Sequence, residues 1–244
     1  MVPLSEGCYN NGQVYDPMPG GVQIFGRDAD VDGWRMGTST YKVTSKASTN
    51  GMLMSGHLFD GQYCPAVELG DSTGYHGPNY LGEVIAYERN EDWAVTDNDA
   101  AASSIEFTNK IKPETSERYD IIGYASEKRV EELAQSDSEV VYKMGCGQGF
   151  DGGLVQDAHV EDNIAPCVDF SSEGIKASVL SALTDSGGPV FTLDDNSNAC
   201  VVATLSSASG SSGDTNCEGN TIFTNTKGTA SYQIAGQGWY PVTS

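Results

Sequence analysis

The feature that most constrains this chain is its punctuation. Short β-branched or alternating apolar runs recur along its length, and nearly every one is closed by Gly, Asn, Asp or Ser. They fall at 21–25, 41–45, 52–54, 66–69, 84–87, 93–96, 119–124, 140–144, 154–158, 175–180, 189–192, 200–206 and 221–224. Runs this short suit strands crossing a half-buried sheet better than amphipathic helices. Their number and their turn signals predict an all-β sandwich or pair of barrels. Only 125–135, with Glu127-Lys128-Arg129-Val130-Glu131-Glu132-Leu133, reads as a helix, and its polar residues on most faces predict a surface excursion. No internal repeat, low-complexity tract or charged linker divides the 244 residues, a length that one large β domain can fill. The Ser/Gly-rich 206–213 lies between two cysteines and reads as a loop.

Charge bounds the partners. With 13 Lys+Arg against 34 Asp+Glu the formal net charge is −21, which excludes nucleic acid as a natural partner. The carboxylates are spread along the chain and read as a solvated surface. Self-repulsion of this strength predicts a high-salt setting, where the screening length falls to about 3 Å. No stretch approaches the roughly 20 apolar residues of a membrane-spanning helix. The first residues lack a basic segment followed by an apolar run, so any secretion signal is expected to have been removed or never present. Six cysteines form an even set without a Cys-x-x-Cys pair, which predicts disulfides and an oxidising, extracytoplasmic setting. Short loops suggest Cys146–Cys167 and Cys200–Cys217, leaving Cys8–Cys64; buried free thiols are the alternative.

The segment that carries chemistry is Leu183-Thr184-Asp185-Ser186-Gly187-Gly188-Pro189-Val190-Phe191, a serine in a turn of small residues ahead of an apolar strand. A reactive hydroxyl needs a tight turn that exposes it, small neighbours that admit substrate, and backbone N–H groups for a developing oxyanion. It also needs a base, and the chain has three histidines. His57 ends the apolar run 51–56, whereas His76, in Gly74-Tyr75-His76-Gly77-Pro78, reads as an exposed turn and His159 as a surface histidine. Asp92 immediately precedes an apolar strand; Asp97 and Asp99 follow that strand and are the alternatives.

These segments resemble the chymotrypsin-like serine proteases. Asp185-Ser186-Gly187-Gly188-Pro189 is similar to the family's nucleophile turn, and Ser55-Gly56-His57 to its strand ending in Ala-Gly-His or Ala-Ala-His. Asp92-Trp93-Ala94 is similar to its Asp followed by an aromatic or aliphatic residue and Ala. The order His57, Asp92, Ser186 is that of this class, and differs from the subtilisin and α/β-hydrolase orders. The run from Val141 to Val155, with Gly145, Gly149 and Gly153 evenly spaced, resembles a hairpin of secreted bacterial enzymes such as α-lytic protease and the streptogrisins. The similarity runs from about His57 to Phe223.

The resemblance implies one domain over 1–244 made of two six-stranded antiparallel β-barrels, about 20–110 and about 119–228, with the active site between them. It implies a secreted, monomeric serine endopeptidase acting on protein or peptide without metal or cofactor. His57 would accept the Ser186 proton, Asp92 would orient the imidazole, and the N–H groups of Thr184 and Ser186 would form the oxyanion hole. Lys143 would neutralise Asp185 as an internal ion pair. The P1 pocket would have Leu180 at its floor and Ser206, Ser207 and Ala208 along its wall, favouring an apolar side chain; a basic preference would require Glu218 or Asp214 to reach the pocket. Two departures stand out: Thr184 occupies a position that is nearly always Gly, and Leu58 one that is often a disulfide Cys. Thr184 motivates the alternative, a catalytically weak or inactive binding or surface protein, a virion protein included, on the same fold.

Overall fold

The computed structural model describes residues 14–27, 33–59, 72–77, 79–97, 105–112, 118–160, 163–165, 168–169, 174–216 and 219–244. Among these residues almost all regular structure is β, in two large sheets. The first has eight strands in the order Trp239–Pro241, Lys42–Ser45, Asn50–Ser55, Trp93–Asp97, Asn79–Glu88, Thr73–His76, Gln23–Arg27 and Arg35–Thr38. The second has ten. Its spine runs Met18–Gly20, Phe107–Ile111, Tyr119–Tyr124, Ala199–Ser209, Pro189–Leu193, Val141–Gly145 and Gly149–Gly153. A branch from Ala199–Ser209 continues through Asn225–Ala230 and Gly174–Ala177 to Val155–Val160.

The two sheets correspond to the two expected barrels, and among the described residues they hold eight and ten strands rather than six each. The surplus comes from short edge strands with weak sequence signals, and two pairings are parallel: Met18–Gly20 with Phe107–Ile111, and Tyr119–Tyr124 with Ala199–Ser209. The C-terminal strand Trp239–Pro241 returns to pair with Lys42–Ser45 in the first sheet, tying the end of the chain to its beginning.

Three apolar clusters explain why the sheets stay together. One, built around Ile24, Met52, Met54, Phe59 and Leu81, belongs to the first half of the chain, and one, built around Val130, Leu133, Val155, Ile175 and Val202, to the second. The third is shared: Val43, Leu53 and Val95 from the first sheet, with Tyr41 just ahead of it, pack with Ile121, Met144, Phe191 and Val201 from the second. Fully burying such side chains contributes roughly 1.5–3 kcal/mol each, so the shared cluster fixes how the two sheets face each other.

The helix Glu127–Ala134 starts on Ser126, whose hydroxyl accepts from Arg129 N at 3.3 Å. It is less superficial than its composition suggested, because Val130 and Leu133, three apart on one face, are buried in the second cluster. A short helix over Ser231–Gly236, with the Gln233 side chain accepting from Ala230 N at 3.0 Å, had no sequence signal of its own. The run 66–69 lies outside the described residues.

Candidate functional site

His57 sits in the 3₁₀ turn Gly56–Leu58 that follows strand Asn50–Ser55. The neighbouring antiparallel strand Trp93–Asp97 is registered with Ser55 opposite Trp93, which brings Asp92 alongside the turn. Gly56 N donates to Asp92 O at 3.0 Å, and a Cβ at Gly56 would lie 2.7 Å from the Tyr87 ring and 3.2 Å from the Asp92–Trp93 backbone, so the glycine lets the two segments run close. Asp92 has φ 52, a left-handed conformation that Asp tolerates better than most residues.

The buried Asp92 carboxylate faces His57 with both oxygens. Oδ1 accepts from His57 N at 2.7 Å, and Oδ2 lies 2.8 Å from His57 Nδ1. An ionised carboxylate only accepts, so Nδ1 carries the proton and Nε2 is left to take another. Burial opposes charge on Asp92, but the adjacent His57 and the hydroxyls of Ser206 and Ser55 hold its carboxyl below the usual range. Ser206 falls short of full hydrogen-bond geometry, whereas Ser55 Oγ is 2.7 Å from Oδ2. The His57 side chain keeps 26% of its surface exposed, enough to meet a ligand.

Ser186 comes from the second sheet, on the turn between Leu183–Asp185 and strand Pro189–Leu193. Two hydrogen bonds bind this turn to the end of the strand Arg35–Thr38 and the residues after it: Thr38 N donates to Ser186 O at 2.7 Å, and Thr40 Oγ1 to Gly187 O at 2.6 Å. Gly187 has φ 90, and a Cβ there would collide with the Thr38 carbonyl and approach Ser55 N to 3.2 Å. The turn thus lies directly against the strand that leads into His57.

Behind it, Lys143 and Asp185 form a fully buried ion pair at 2.6 Å. Asp185 also accepts from Gly147 N at 2.7 Å, Gln148 N at 3.0 Å and Ala182 N at 3.0 Å. Such completeness makes a buried charge tolerable.

The front of the loop is arranged differently. Ser186 Oγ donates to the carbonyls of Leu183 at 3.4 Å and Ser206 at 3.5 Å, both long. Because a peptide is planar and trans, a Leu183 carbonyl turned toward Ser186 turns the Thr184 N–H away from it. The 3₁₀ bond from Asp185 N to Ala182 O at 2.9 Å belongs to this arrangement. The Thr184 carbonyl is pinned, accepting from Thr38 Oγ1 at 2.9 Å, and Cys146 Sγ lies 3.0 Å from it.

Leu180, half-buried, donates its N–H to Asp151 Oδ2 at 2.6 Å, a carboxylate near the expected pocket floor that the sequence did not point to. Ser206, Ser207 and Ala208 lie in strand Ala199–Ser209 beside Asn225–Ala230. Asp214 is exposed and Asp97 lies at the end of its strand; Glu218 and Asp99 are outside the described residues.

His76 reverses the sequence expectation. It is buried, Nδ1 lies 2.7 Å from Gln23 O, and Tyr15 N donates to Nε2 at 3.0 Å. Its Gly-rich surroundings are the end of a strand inside the first sheet, where two backbone groups satisfy the ring. His159 is exposed, 3.3 Å from Glu131. Cys200 carries a free thiol in place of the expected bond to Cys217. Cys8, Cys64, Cys167 and Cys217 lie outside the described residues.

No family model and no curated protein matches the sequence. Solved structures do. Thermobifida fusca protease A is similar at a TM-score of 0.63 with 18% identity over 93% of this chain and 98% of its own. Cellulomonas bogoriensis chymotrypsin reaches 0.64 with 17% identity over 94% and 100%. A Nocardiopsis protease reaches 0.63 with 17% identity over 92% and 98%. The shared fold extends over nearly the whole of each chain.

Proposed function

We propose that this chain, which has the chymotrypsin-like fold, is a serine endopeptidase working through His57, Asp92 and Ser186. The observation that carries the reading is the hydrogen-bonded His57–Asp92 pair, with Nδ1 and Oδ2 2.8 Å apart, set on one sheet against the Ser186 turn of the other. Ser186 Oγ attacks the peptide carbonyl while His57 Nε2 takes its proton. The C–N bond then breaks as His57 returns that proton to the leaving amine, and water releases the acyl group by the same steps. Asp92 supports the imidazolium formed in each step.

The oxyanion needs the N–H groups of Ser186 and Thr184 together. With the Leu183 carbonyl toward Ser186, the Leu183–Thr184 peptide has to rotate when substrate binds. Its neighbours hold still, since Asp185 and the Thr184 carbonyl are anchored. The β-branched Thr184 resists positive φ, so the rotation is costlier than at Gly. The same observation favours a second reading, a catalytically weak or inactive binding protein on this fold.

An apolar P1 residue fits Leu180 at the pocket floor, with Ser206, Ser207 and Ala208 as the wall. The Asp151 carboxylate nearby accepts the Leu180 N–H. An extracytoplasmic, high-salt, monomeric setting is the matching environment for the net charge of −21. A peptide library incubated with the protein in high salt tests the reading. Cleavage after aliphatic or Phe-like residues is expected; cleavage chiefly after Arg or Lys would mean that Leu180 is not the floor, and no cleavage would favour the binding protein.

A further inference from the structure

We propose that Ser55 is a positioning residue of this site, its hydroxyl joining the Asp92 carboxylate and the Nδ1 edge of His57 into one hydrogen-bonded group that sets the orientation and proton affinity of the imidazole. The inference deepens the protease reading and rests on it for its effect on turnover.

Ser55 is the last residue of its strand and is fully buried. Its Oγ lies 2.7 Å from Asp92 Oδ2, 3.0 Å from His57 Nδ1 and 3.5 Å from the Asp92 carbonyl oxygen. The carboxylate can only accept, so the single Ser55 proton goes to Oδ2 and the lone pairs of Oγ face the Nδ1 proton. With His57 N on Oδ1 and both Nδ1 and Ser55 on Oδ2, the carboxylate is held against rotation. The hydroxyl therefore acts on both partners, donating to the carboxylate and offering its lone pairs to the Nδ1 proton.

Other groups face the same turn. Arg35 donates to the His57 carbonyl at 3.0 Å, the Tyr87 ring lies against Gly56, and Ser186 approaches from the second sheet. Glu91 is turned toward Trp93 Nε1 at 3.1 Å and Gln237 Nε2 at 2.7 Å.

The test is an NMR titration of the His57 imidazole in the wild-type chain, Ser55→Ala and Ser55→Thr, with peptide turnover followed across pH in parallel. Ser55→Ala removes one buried atom; Ser55→Cys, close in volume but a weaker donor, serves as the second variant. In both, the imidazole midpoint is expected to move from its wild-type value and, with the pair no longer held in register, kcat to fall about tenfold with KM little changed, while Ser55→Thr keeps the wild-type midpoint. A midpoint unchanged in Ser55→Ala and Ser55→Cys would overturn the proposal. The titration is readable with or without turnover, so absence of hydrolysis in every chain would count against the protease reading alone.

Discussion

The two halves of the site are held very differently. On the first sheet, His57, Asp92 and Ser55 are linked by contacts of 2.7 to 3.0 Å, each with a matched donor and acceptor. On the second, Ser186 Oγ rests at 3.4 and 3.5 Å from two carbonyls. The looseness is local. Immediately behind Ser186, Asp185 is held by Lys143 and three backbone N–H groups, and the Thr184 carbonyl by Thr38. The contrast isolates one peptide, Leu183–Thr184, as the movable part of a rigid frame. Its own side chain emphasises this, for Leu183 is 67% exposed while Thr184 and Asp185 are buried.

The sharpest way to break the comparison is to remove the loose half's hydroxyl. Ser186→Ala is expected to lower peptide hydrolysis by a factor on the order of 10⁶ while the fold and its unfolding midpoint persist. Wild-type turnover in that variant would remove Ser186 from the mechanism. Next in size is the frame behind it: Lys143→Met leaves the Asp185 carboxylate buried without its cation and should cost about 3–5 kcal/mol in urea unfolding. A loss below about 1 kcal/mol would mean that the backbone N–H groups suffice.

The movable peptide can be released instead of removed. Thr184→Gly lowers the cost of positive φ and should raise kcat by about 10²-fold, the scale of one oxyanion donor. Unchanged or lower turnover with an intact fold would contradict the closed resting loop. The smallest effect concerns pH. Because the folded-state carboxyl of Asp92 is depressed, its stabilisation is present above the ordinary carboxylate value of about 3.9 and is lost as pH falls through its own lower value. The stability difference between wild type and Asp92→Asn is therefore expected to shrink as the solution is acidified below about pH 4. A difference that shrinks between about pH 5 and 7 would assign the effect to another group.

What the sequence made legible follows from how local each signal is. Ser186 in its small-residue turn, His57 at a strand end and Asp92 ahead of a strand are short-range patterns, and the structure brings His57 and Asp92 into direct contact. The role of Ser55 was hidden, because beside Gly56 it read as a small spacer and only the register with Trp93–Asp97 brings a carboxylate to it. His76 misled for the opposite reason: flanking glycines suggested a turn, while two backbone groups 53 and 61 residues away satisfy its ring inside the sheet. Strands such as Arg35–Thr38 and Phe107–Ile111 lack a strong alternating pattern, and their pairing is set by partners distant in the chain. The anchoring on the far side of the Leu183–Thr184 peptide is likewise a tertiary outcome, since Thr38 holds the Thr184 carbonyl and Lys143 the Asp185 carboxylate from outside the motif.

The most direct measurement is covalent labelling with a phosphonyl fluoride followed by peptide mapping. The account predicts a single adduct on Ser186, formed faster in Thr184→Gly and about 10⁴-fold more slowly in Asp92→Asn. A folded wild-type chain and a folded Thr184→Gly chain that both leave Ser186 unlabelled would contradict it.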